Sequence, residues 1–458
     1  MSFRSELTKV MVTPPLPFQV RGVAFVDRHG GRALIGDDPG LGKTYQATGW
    51  MKLHPEIRPV VIVCPASVKY GWRRQLRQHG DIRSVVLSGR RPHKLIGNVW
   101  IVNYDILIYW LPFLLKQKPQ LAVIDEAHRT KNRKAARTKA CRILARRCRY
   151  VIGLTGTPIR NRPIEFYPIL NMLRPSEYRS VIEFAFAYCD PKPGFRGRGW
   201  DFSGASNLDE LHDRVSNVMI RRLKSDVLPD LPKKMRTILP VEIDNRREYE
   251  AARLNFLQWY RKTKGADATR RILPASDLVR IHTLLRLAGE GKVGVVHQWI
   301  VDWLNDTDEK LVVFTRHISV MRRLHSYFPG SAVIDGSTAT SKREHEVDKF
   351  QRDHRCRVFL GNIQAAGEGI TLTAASTVLF AELGWTPGER EQAEDRVLRI
   401  GQTANRIQVI YPIAKETHEE RLIEQIERKR RIVSRVVDGM ERLDVPTMVL
   451  TELTRSML

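Results

Sequence analysis

The stretch Gly36–Thr44, GDDPGLGKT, carries the residue types of a phosphate-binding loop. It lies between the apolar run RALIG and a helix expected to start near Lys43, the order in which such loops occur. Glycines let backbone N–H groups approach an anion, the lysine reaches the β- and γ-phosphates, and the hydroxyl holds Mg²⁺. The alternative is a glycine-rich turn with a surface lysine. The nucleotide contacts predicted from this stretch are Asp38, Gly40, Leu41, Gly42, Lys43 and Thr44, with Thr44 also a magnesium ligand.

Asp37 stands where the usual loop pattern has its first glycine. The two glycines most needed for close backbone approach, Gly40 and Gly42, are both present. We therefore keep the prediction of a nucleotide site despite this departure.

Two adjacent acids end the apolar run LAVID, giving Asp125-Glu126-Ala127-His128. Parallel sheets bind ligands at the carboxyl ends of their strands. Phosphoryl transfer to water needs one acid that holds Mg²⁺ and a second that orients or deprotonates the water. Asp125 and Glu126 are predicted to take these roles in that order, the alternative being a loop salt bridge.

A third group is formed by Gln392, Arg396 and Arg399, which fall at i, i+4 and i+7 and so share one face of a predicted helix. Guanidinium groups can stabilise the charge on a γ-phosphate in the transition state. The alternative is a solvated helix with an ion pair between Asp395 and Arg399. These residues belong to a different sheet region from Lys43, so we expect two domains to share one ATP and to close on it.

Short apolar runs alternating with helix-length amphipathic stretches predict two parallel α/β sheets with helices on both faces. The first set of strands is RALIG, VVIVC, SVVL, VWIVN, LAVID and YVIGL, and the second is LVVFT, AVI, RVFL, TVLFA and RIQVIYP. The rhythm stops near Pro163 and returns at Leu311.

The region 180–305 between the two sheets is predicted to be mostly helical, with helix starts at Ser180 and Asn207 and an irregular loop at 191–204. A final helix is expected to open with a capping box at Thr417 and to end at Gly439. We expect a first lobe at 1–222 with a protrusion at about 176–218. The second lobe is expected at 223–458, with a protrusion at about 226–300 and the final helix at about 417–439.

The charge balance points to a polyanionic partner: 76 Lys and Arg against 50 Asp and Glu give +26 over 458 residues. Nucleic acid is the first expectation, with an acidic membrane surface or a simple contribution of the charge to solubility as the alternatives. Five cysteines show neither disulfide nor zinc spacing, and the N-terminus has no apolar signal segment. We expect a cytoplasmic protein, associated with the nucleoid in a bacterium or found in the host cytoplasm if from a phage.

Together the motifs resemble those of superfamily 2 helicases, and more narrowly of SWI/SNF-type DNA translocases. In order they are PFQ at 17–19, DPGLGKT, VCPASVKYGW, VNYDIL, DEAH, LTGTPIRN, VVFTRH, IDGSTA, GEGITLTAAS and QAEDRVLRIGQ. The HARP-like annealing helicases, which remodel replication forks, are the most similar branch. The segments that carry this likeness are AYCD, GWDFSGASNLDELH, MIRRLKSDVLPDLPKK and VIDGSTATSKREHEVDKFQ.

The resemblance implies two tandem RecA-like lobes with helical protrusions and a C-terminal brace helix that contacts the first lobe. It implies an enzyme, a DNA-dependent ATPase using ATP and Mg²⁺, that translocates on duplex DNA and remodels or reanneals branched DNA. It predicts that the chain is the core motor alone and that it acts as a monomer. The expected partner is DNA rather than a membrane, and the resemblance also allows a protein partner that targets the motor. The alternatives are a 3′-to-5′ unwinding helicase on DNA or RNA and a nucleotide-gated DNA-binding subunit of a larger complex.

Individual roles also follow from the resemblance. Gln19 would read the adenine, Gly369 and Gln392 would lie near the nucleotide, and His128, Thr155 and Thr157 would couple hydrolysis to DNA. The implied DNA contacts are Ser67, Lys69, Asn103, Tyr104, Arg160 and Asn161 in the first lobe, and Thr315, Arg316, His317 and Thr371 in the second.

Several of these residues have a plainer interpretation. Ser67 and Asn103 could cap a helix or turn, and His317 could be a bonded core histidine. The basic run 129–150 has helical apolar spacing and is predicted to be the solvated face of a core helix, whereas 253–286 could flank DNA. Base stacking is conceivable for five tryptophans, for which we expect buried packing instead: Trp200, Trp259, Trp299, Trp303 and Trp385.

Overall fold

Two parallel sheets, one in each half of the chain, organise the computed structural model, which describes residues 2–159, 161–194, 199–273, 276–367, 369–399 and 401–439. The chain divides into two compact units at Asp230 and Leu231. The second unit runs to Arg428, and the described residues from Lys429 onward belong again to the first unit. The final helix thus begins in one unit and ends in the other.

The first sheet has seven strands in the order β3-β4-β2-β5-β6-β1-β9. Its strands are β1 (Arg32–Ile35), β2 (Val60–Cys64), β3 (Val85–Val86), β4 (Val99–Asn103), β5 (Leu121–Asp125), β6 (Tyr150–Leu154) and β9 (Met219–Ile220). All neighbours pair in parallel, and β6 lies between β5 and β1. The ends of the strands that precede the phosphate loop and the DEAH acids therefore share one sheet edge.

Helices cover both faces of this sheet. They are α1 (Phe3–Val10), α2 (Pro17–Arg28), α3 (Lys43–Leu53), α4 (Lys69–Gly80), α5 (Tyr104–Lys116), α6 (Ala136–Arg147), α7 (Tyr167–Leu173), α8 (Val181–Tyr188), α9 (Leu208–Ser216) and α10 (Lys224–Val227). One apolar cluster packs α1 to α4 on the sheet, and another packs α5 to α9 together with Val436 and Val437. A separate antiparallel pair joins β7 (Lys192–Pro193) and β8 (Trp200–Asp201).

The second sheet has six parallel strands in the order β10-β15-β14-β11-β13-β12. They are β10 (Lys233–Val241), β11 (Lys310–Thr315), β12 (Ala332–Ile334), β13 (Val358–Asn362), β14 (Ala375–Phe380) and β15 (Arg406–Ala414). The helices of this unit are α11 (Arg246–Leu254), α12 (Phe256–Lys264), α13 (Ala266–Ile272), α14 (Ser276–Gly291), α15 (Val293–Asp306), α16 (Ile318–Tyr327), α17 (Thr340–Arg352), α18 (Ile363–Ala366), α19 (Pro387–Glu394) and α20 (His418–Asp438). The predicted α/β class with two parallel sheets is confirmed.

Strand β10 lies where the sequence predicted helices. It pairs with β15 from Lys233 opposite Arg406 to Val241 opposite Ala414. Its apolar alternation is weak because two inward positions carry Lys234 and Arg236, which pair with the buried Glu394. A strand whose inner face is charged lacks the pattern from which strands are recognised.

Local helix signals were mostly correct. Ser180 caps α8 by accepting a hydrogen bond from the Glu183 N–H, and Gly439 follows α20 with a positive φ of 71°. Asn207 precedes α9 without a side-chain cap, since its amide donates to the Ala187 carbonyl. Within the basic run, α6 buries Ala140, Cys141 and Leu144 and leaves its charged side chains outward, as predicted.

Across the described part of the chain, every helix is too short or too polar to span a bilayer. All five cysteines are buried free thiols. Trp200 is 53% exposed, so the expectation that it would be buried is wrong. The other four tryptophans singled out above are partly buried.

Candidate active site

The phosphate loop joins β1 to α3, the predicted strand, loop and helix. Gly40 and Gly42 adopt φ values of 93° and 72°, which side chains rarely tolerate. A Cβ on Gly42 would lie 2.5 Å from the Gln19 amide nitrogen. The glycine therefore lets Gln19, the predicted adenine reader, come into contact with the loop.

Lys43 begins α3 and its side chain turns back over the loop. Its Nζ donates hydrogen bonds to the carbonyls of Asp37 (2.7 Å) and Asp38 (3.1 Å). Burial lowers the pKa of Lys43, an effect that the nearby Glu126 carboxylate opposes. The ammonium is thus positioned at a helix N-terminus, where an anion would also be favoured.

Asp37 belongs to a buried polar cluster that sequence reasoning missed. Its carboxylate pairs with Arg222 and accepts a hydrogen bond from the Gln46 amide at 2.9 Å. Arg222 in turn donates to Gln46 Oε1 and to the Phe18 carbonyl. Asp37 thereby connects the loop to β9 and to the glutamine segment, which explains an acid where the general pattern has glycine.

The same cluster accounts for a glycine in α2. A Cβ on Gly22 would lie 1.7 Å from Gln46 Oε1 and 2.7 Å from an Arg222 nitrogen. Any larger residue at this position would have to displace the Gln46 and Arg222 side chains from the cluster. The one sequence signal for this cluster is the pair Arg221-Arg222. Two adjacent arginines do not by themselves indicate a buried partner or a role.

Asp38 has a different role from the predicted nucleotide contact. Its Oδ1 lies 2.8 Å from an Arg221 nitrogen, and its Oδ2 accepts from the Lys224 N–H at 3.1 Å. A carboxylate facing phosphate would be repelled, and pairing with an arginine directs it away. The side chain of Asp38 therefore shapes the loop, while its carbonyl holds Lys43.

The two acids of the DEAH segment follow β5. Asp125 accepts hydrogen bonds from Trp72 Nε1 (2.7 Å) and from the Glu126 N–H (3.0 Å). Burial and then the neighbouring Glu126 raise the pKa of Asp125 to about 7. Glu126 adopts a φ of 52°, a left-handed conformation that is uncommon for a residue with a side chain and that occurs at functional sites.

A buried histidine links these acids to the segment after β6. His128 Nδ1 lies 3.2 Å from Glu126 Oε2, 2.9 Å from Thr155 Oγ1 and 3.4 Å from Thr157 Oγ1. The Thr155 N–H donates to the carbonyl of Ile35, the last residue before the loop. The structure thus brings the three predicted coupling residues together beside the loop and the acids.

Magnesium fits the oxygen donors at this edge. Thr44 offers a hydroxyl at the start of α3 and Asp125 a carboxylate at the end of β5, and oxygen ligands of this kind suit Mg²⁺ when phosphates and water complete the shell. Within the described ranges, no three His, Cys, Asp or Glu side chains form a metal cage. A magnesium ion held partly by the nucleotide matches that donor set.

The arginine segment in the second unit departs from prediction. Helix α19 ends at Glu394, so only Gln392 of the predicted face is helical. The Arg396 and Arg399 side chains donate to the carbonyls of Gln392 (2.8 Å) and Asp395 (3.0 Å). The Arg396 carbonyl accepts instead from the Leu372 N–H at 2.8 Å. The predicted single helical face is therefore wrong, because side chains and a neighbouring segment take the hydrogen bonds that would continue the helix.

The two arginines also differ in exposure. Arg396 is 3% exposed and donates to the Ile370 carbonyl as well, whereas Arg399 is partly exposed and donates to Thr371 Oγ1 at 2.9 Å. Gly369, predicted near the nucleotide, is exposed with a φ of 78°.

Comparison with protein families identifies the class. The SNF2-related domain matches residues 18–286, more than half of the chain, and the helicase conserved C-terminal domain matches residues 291–401. The chain belongs to the SNF2-related family.

Curated relatives agree with this SNF2-related assignment. The mouse DNA annealing helicase and endonuclease ZRANB3 is 34% identical over 443 residues, 93% of this chain and 41% of the relative. The SWI/SNF-related matrix-associated actin-dependent regulator of chromatin subfamily A-like protein 1 of Xenopus tropicalis is 34% identical over 428 residues, 91% of this chain and 44% of the relative. The homologue of the latter in Caenorhabditis elegans is 34% identical over 454 residues, covering 94% and 64%. The chain thus spans about two fifths of the first two relatives.

The residues nominated as DNA contacts in the first SNF2-related lobe divide into buried and accessible ones. Lys69 is 8% exposed and its Nζ donates to the Leu87 carbonyl at 3.0 Å, so its ammonium points inward rather than toward a phosphate. Tyr104 is buried, and its hydroxyl donates to the Asp125 carbonyl at 2.6 Å. Both residues therefore position other groups.

Of the remaining members, Ser67 and Asn161 are partly exposed, whereas Asn103 is buried like Lys69. Ser67 is partly exposed in a short 3-10 helix, and Asn103 is largely buried at the start of α5, with its amide 3.4 Å from Asp105. Asn161 donates from both its backbone and its side chain to Glu165. Arg160 lies outside the described residues.

In the second SNF2-related lobe, one acid organises the nominated contacts that follow β11. Glu382 Oε2 accepts from the N–H groups of Arg316 and His317, both at 2.8 Å, and its Oε1 lies 2.5 Å from His317 Nδ1. The Arg316 guanidinium stacks on Trp385 at 4.6 Å, while Thr315 is fully buried. His317 is thus a bonded histidine, and Glu382 is a residue that sequence reasoning missed.

Proposed function

We propose that this chain is an ATP- and Mg²⁺-dependent double-stranded DNA translocase of the SWI/SNF type that remodels or reanneals branched DNA. The observation that carries the proposal is the meeting of Lys43, the acids Asp125 and Glu126, and the His128 cluster at one sheet edge. A protein that only binds a nucleotide needs no more than the phosphate loop. A motor also needs acids to hydrolyse ATP and a connection that reports hydrolysis.

Each chemical role follows from a placement. Lys43 would release the loop carbonyls and bind the β- and γ-phosphates, while Thr44 and Asp125 hold Mg²⁺, which neutralises charge on the phosphates. Glu126 would orient and deprotonate the attacking water. Gln19 would bind the adenine from α2.

Coupling would run through the histidine. When Glu126 changes its contacts during hydrolysis, His128 changes with it, because Nδ1 lies within 3.4 Å of Glu126, Thr155 and Thr157 alike. The threonines open the segment that contains Asn161, a nominated DNA contact. Such a path would connect the acid to the polymer, and a passive nucleotide-binding subunit would not require it.

Arg399 would supply the positive charge at the γ-phosphate. It is more accessible than Arg396, whose guanidinium is buried against two carbonyls. We propose that the two lobes close on ATP so that Arg399 reaches the nucleotide and Arg396 holds the segment in shape, with Gln392 and Gly369 nearby.

DNA as the polymer is supported by charge and by relatives. The net charge of +26 favours a polyanion, and the relatives include a DNA annealing helicase. Accessible candidates for phosphate contact are Ser67, Asn161, Arg316 and Thr371. The family resemblance adds Arg160.

ATP hydrolysis measured without polymer and with single-stranded DNA, duplex, forked DNA and RNA tests the proposal. We expect duplex or forked DNA to stimulate turnover most, and Lys43→Ala to abolish the stimulation by weakening ATP binding. Preference for RNA or single strands would favour an unwinding helicase. Absence of turnover under every condition would favour the DNA-binding subunit and overturn the translocase.

Branch specificity needs its own measurement. Fluorescence from a labelled fork and from a bubble would report reannealing in the presence of ATP. A chain that is stimulated by duplex but leaves both substrates unchanged would be a translocase without remodelling activity.

A further inference from the structure

Arg221 is the point where three parts of the first unit meet. Its guanidinium donates to the Gly36 carbonyl at 2.6 Å and the Gly156 carbonyl at 3.2 Å, and it pairs with Asp38 at 2.8 Å. Its Nε donates to Asp438 at 3.0 Å. Gly36 opens the phosphate loop, Gly156 lies between Thr155 and Thr157, and Asp438 ends α20.

The guanidinium is well enclosed at this position. The side chain of Arg221 is 14% exposed and that of Asp438 is 9% exposed. Charge-assisted hydrogen bonds are stronger when water is excluded, and only the planar fork of an arginine can serve so many acceptors at once. The arrangement therefore holds the loop, the threonine segment and the helix end in a defined geometry.

The contact between Arg221 and Asp438 joins two segments that lie next to the places where the chain passes between the units. Arg221 lies just before the chain leaves the first unit at Asp230, and Asp438 lies just after the chain has returned to it at Lys429. Within the described residues the chain crosses between the units twice, and Arg221 thus joins the first-unit segments beside these two crossings to the phosphate loop. Asp38 strengthens the attachment by accepting from the Lys224 N–H on the outgoing segment.

A second contact at the helix end does not involve the loop. Arg435 pairs with Asp209 on α9 at 2.6 and 2.8 Å, and His212 Nδ1 lies 2.9 Å from the Val436 carbonyl. These contacts would anchor the helix whether or not the loop is engaged. The Arg435–Asp209 pair provides an internal control for the Arg221–Asp438 pair. Both are aspartate–arginine pairs at the end of α20, but only Arg221 also contacts the phosphate loop.

We propose that Arg221 is a positioning residue that couples the state of the phosphate loop to the end of the C-terminal helix, and thereby to the two described segments where the chain crosses between the lobes. The inference rests on the proposed function, since it concerns regulation of the same nucleotide site. A nucleotide that draws Lys43 from the loop carbonyls alters the loop next to Gly36 and Asp38, and Arg221 transmits that change to Asp438. By reciprocity, loss of Asp438 alters nucleotide affinity.

Hydrogen exchange on the full chain tests the coupling directly. Exchange of the amides in 429–438 is measured with and without a non-hydrolysable ATP analogue, in the wild type, in Arg221→Gln and in the control Asp209→Asn. We expect the analogue to change exchange at the helix end in the wild type and in Asp209→Asn, but not in Arg221→Gln. No nucleotide-dependent change in the wild type, or an unchanged response in Arg221→Gln, would overturn the proposal.

Equilibrium binding of a fluorescent ATP analogue gives a second readout. We expect Asp438→Asn to weaken binding about fivefold, which lies within the usual range of coupling between sites, and Asp209→Asn to leave it unchanged. Arg221→Lys should not restore the binding lost in Arg221→Gln, since one ammonium cannot replace a fork with four acceptors. Equal effects of Asp438→Asn and Asp209→Asn, or full rescue by lysine, would contradict the coupling.

The coupling and the motor can fail separately. If the wild type binds the analogue but hydrolyses no ATP with any polymer, the motor is wrong while the exchange experiment still tests Arg221. If duplex DNA stimulates hydrolysis and the helix end ignores nucleotide, the motor stands and the coupling is wrong.

Discussion

The phosphate loop in the first unit and the arginine segment in the second both carry motif residues, yet only the loop has the local structure predicted for it. The loop follows its strand and precedes its helix, and its glycines have the expected positive φ values. In the arginine segment the helix stops at Glu394, before Arg396 and Arg399. Both motifs are clear in the sequence. The clarity of a motif therefore does not explain why only one of them has the predicted local structure.

The two segments also differ in their long-range ion pairs. At the loop, Arg222 pairs with Asp37 without disturbing the strand, loop and helix that the local residues favour. In the second unit, Glu394 is fully buried and binds Lys234 and Arg236 from strand β10. Helix α19 ends at this buried Glu394, and the Arg396 and Arg399 side chains then donate to the carbonyls of Gln392 and Asp395.

Removal of Glu126, the proposed water-activating acid in the first unit, should have the largest effect on turnover. We expect Glu126→Gln to lower kcat about 10³-fold, because general base catalysis is removed, while ATP binding persists. Single-turnover hydrolysis together with equilibrium ATP binding measures both quantities. Near-normal turnover in this variant would show that Glu126 is not the acid that activates water.

The next largest effect, on stability, is expected when the buried ion pair of Glu394 in the second unit is broken. Burial alone would raise the pKa of Glu394, but Arg236 and Lys234 outweigh it and hold that pKa well below its usual value of 4.5. Glu394→Gln should destabilise the second unit by about 3 kcal/mol at pH 7, as expected when one partner of a buried pair is removed. The urea midpoint, followed by a probe in that unit, measures the loss.

The stability that Glu394→Gln removes should depend on pH in one direction only. A depressed native pKa contributes stability above the unfolded value of 4.5 that disappears as pH falls below it. The difference between wild type and Glu394→Gln should therefore stay constant from pH 7 to pH 5 and shrink below pH 4.5. A difference that grows on acidification would contradict the assigned ion pair.

The two arginines should behave differently from each other. Arg399→Ala is expected to lower kcat about 10²-fold with little change in KM, in keeping with the loss of one transition-state donor. Arg396→Ala should chiefly lower stability, by roughly 1–3 kcal/mol, since it leaves buried carbonyls unpaired. Steady-state kinetics and urea midpoints of both variants separate the roles, and a larger kinetic effect at Arg396 would reverse our assignment.

The smallest effect is expected at Lys69. DNA affinity should fall steeply with salt, and each phosphate contact contributes about one unit to the slope of log affinity against log salt. Because its ammonium is bound to the Leu87 carbonyl, Lys69→Met should leave that slope unchanged. A slope lower by about one would place Lys69 on the DNA after all.

Strands and motifs were predictable wherever the pattern is local. Buried parallel strands such as VVIVC and LAVID consist of apolar residues throughout, and the cap at Ser180 needs only the residues next to it. Strand β10 was missed because its inward charges are satisfied by Glu394, far away in sequence. Arg221 and Glu382 were missed for the same reason, since neither belongs to a spacing pattern.

By itself the sequence determined the α/β class and the family, and it nominated the residues proposed for phosphate binding, magnesium binding and water activation, because these assignments depend on short spacings along the chain. Tertiary structure alone decided that Asp38 turns to Arg221, that Lys69 points inward, and that α19 ends before its arginines. Each of these outcomes depends on an ion or hydrogen-bond partner far along the chain. Such a pairing is set by which segments pack together, since a buried charge must find a partner wherever the fold supplies one.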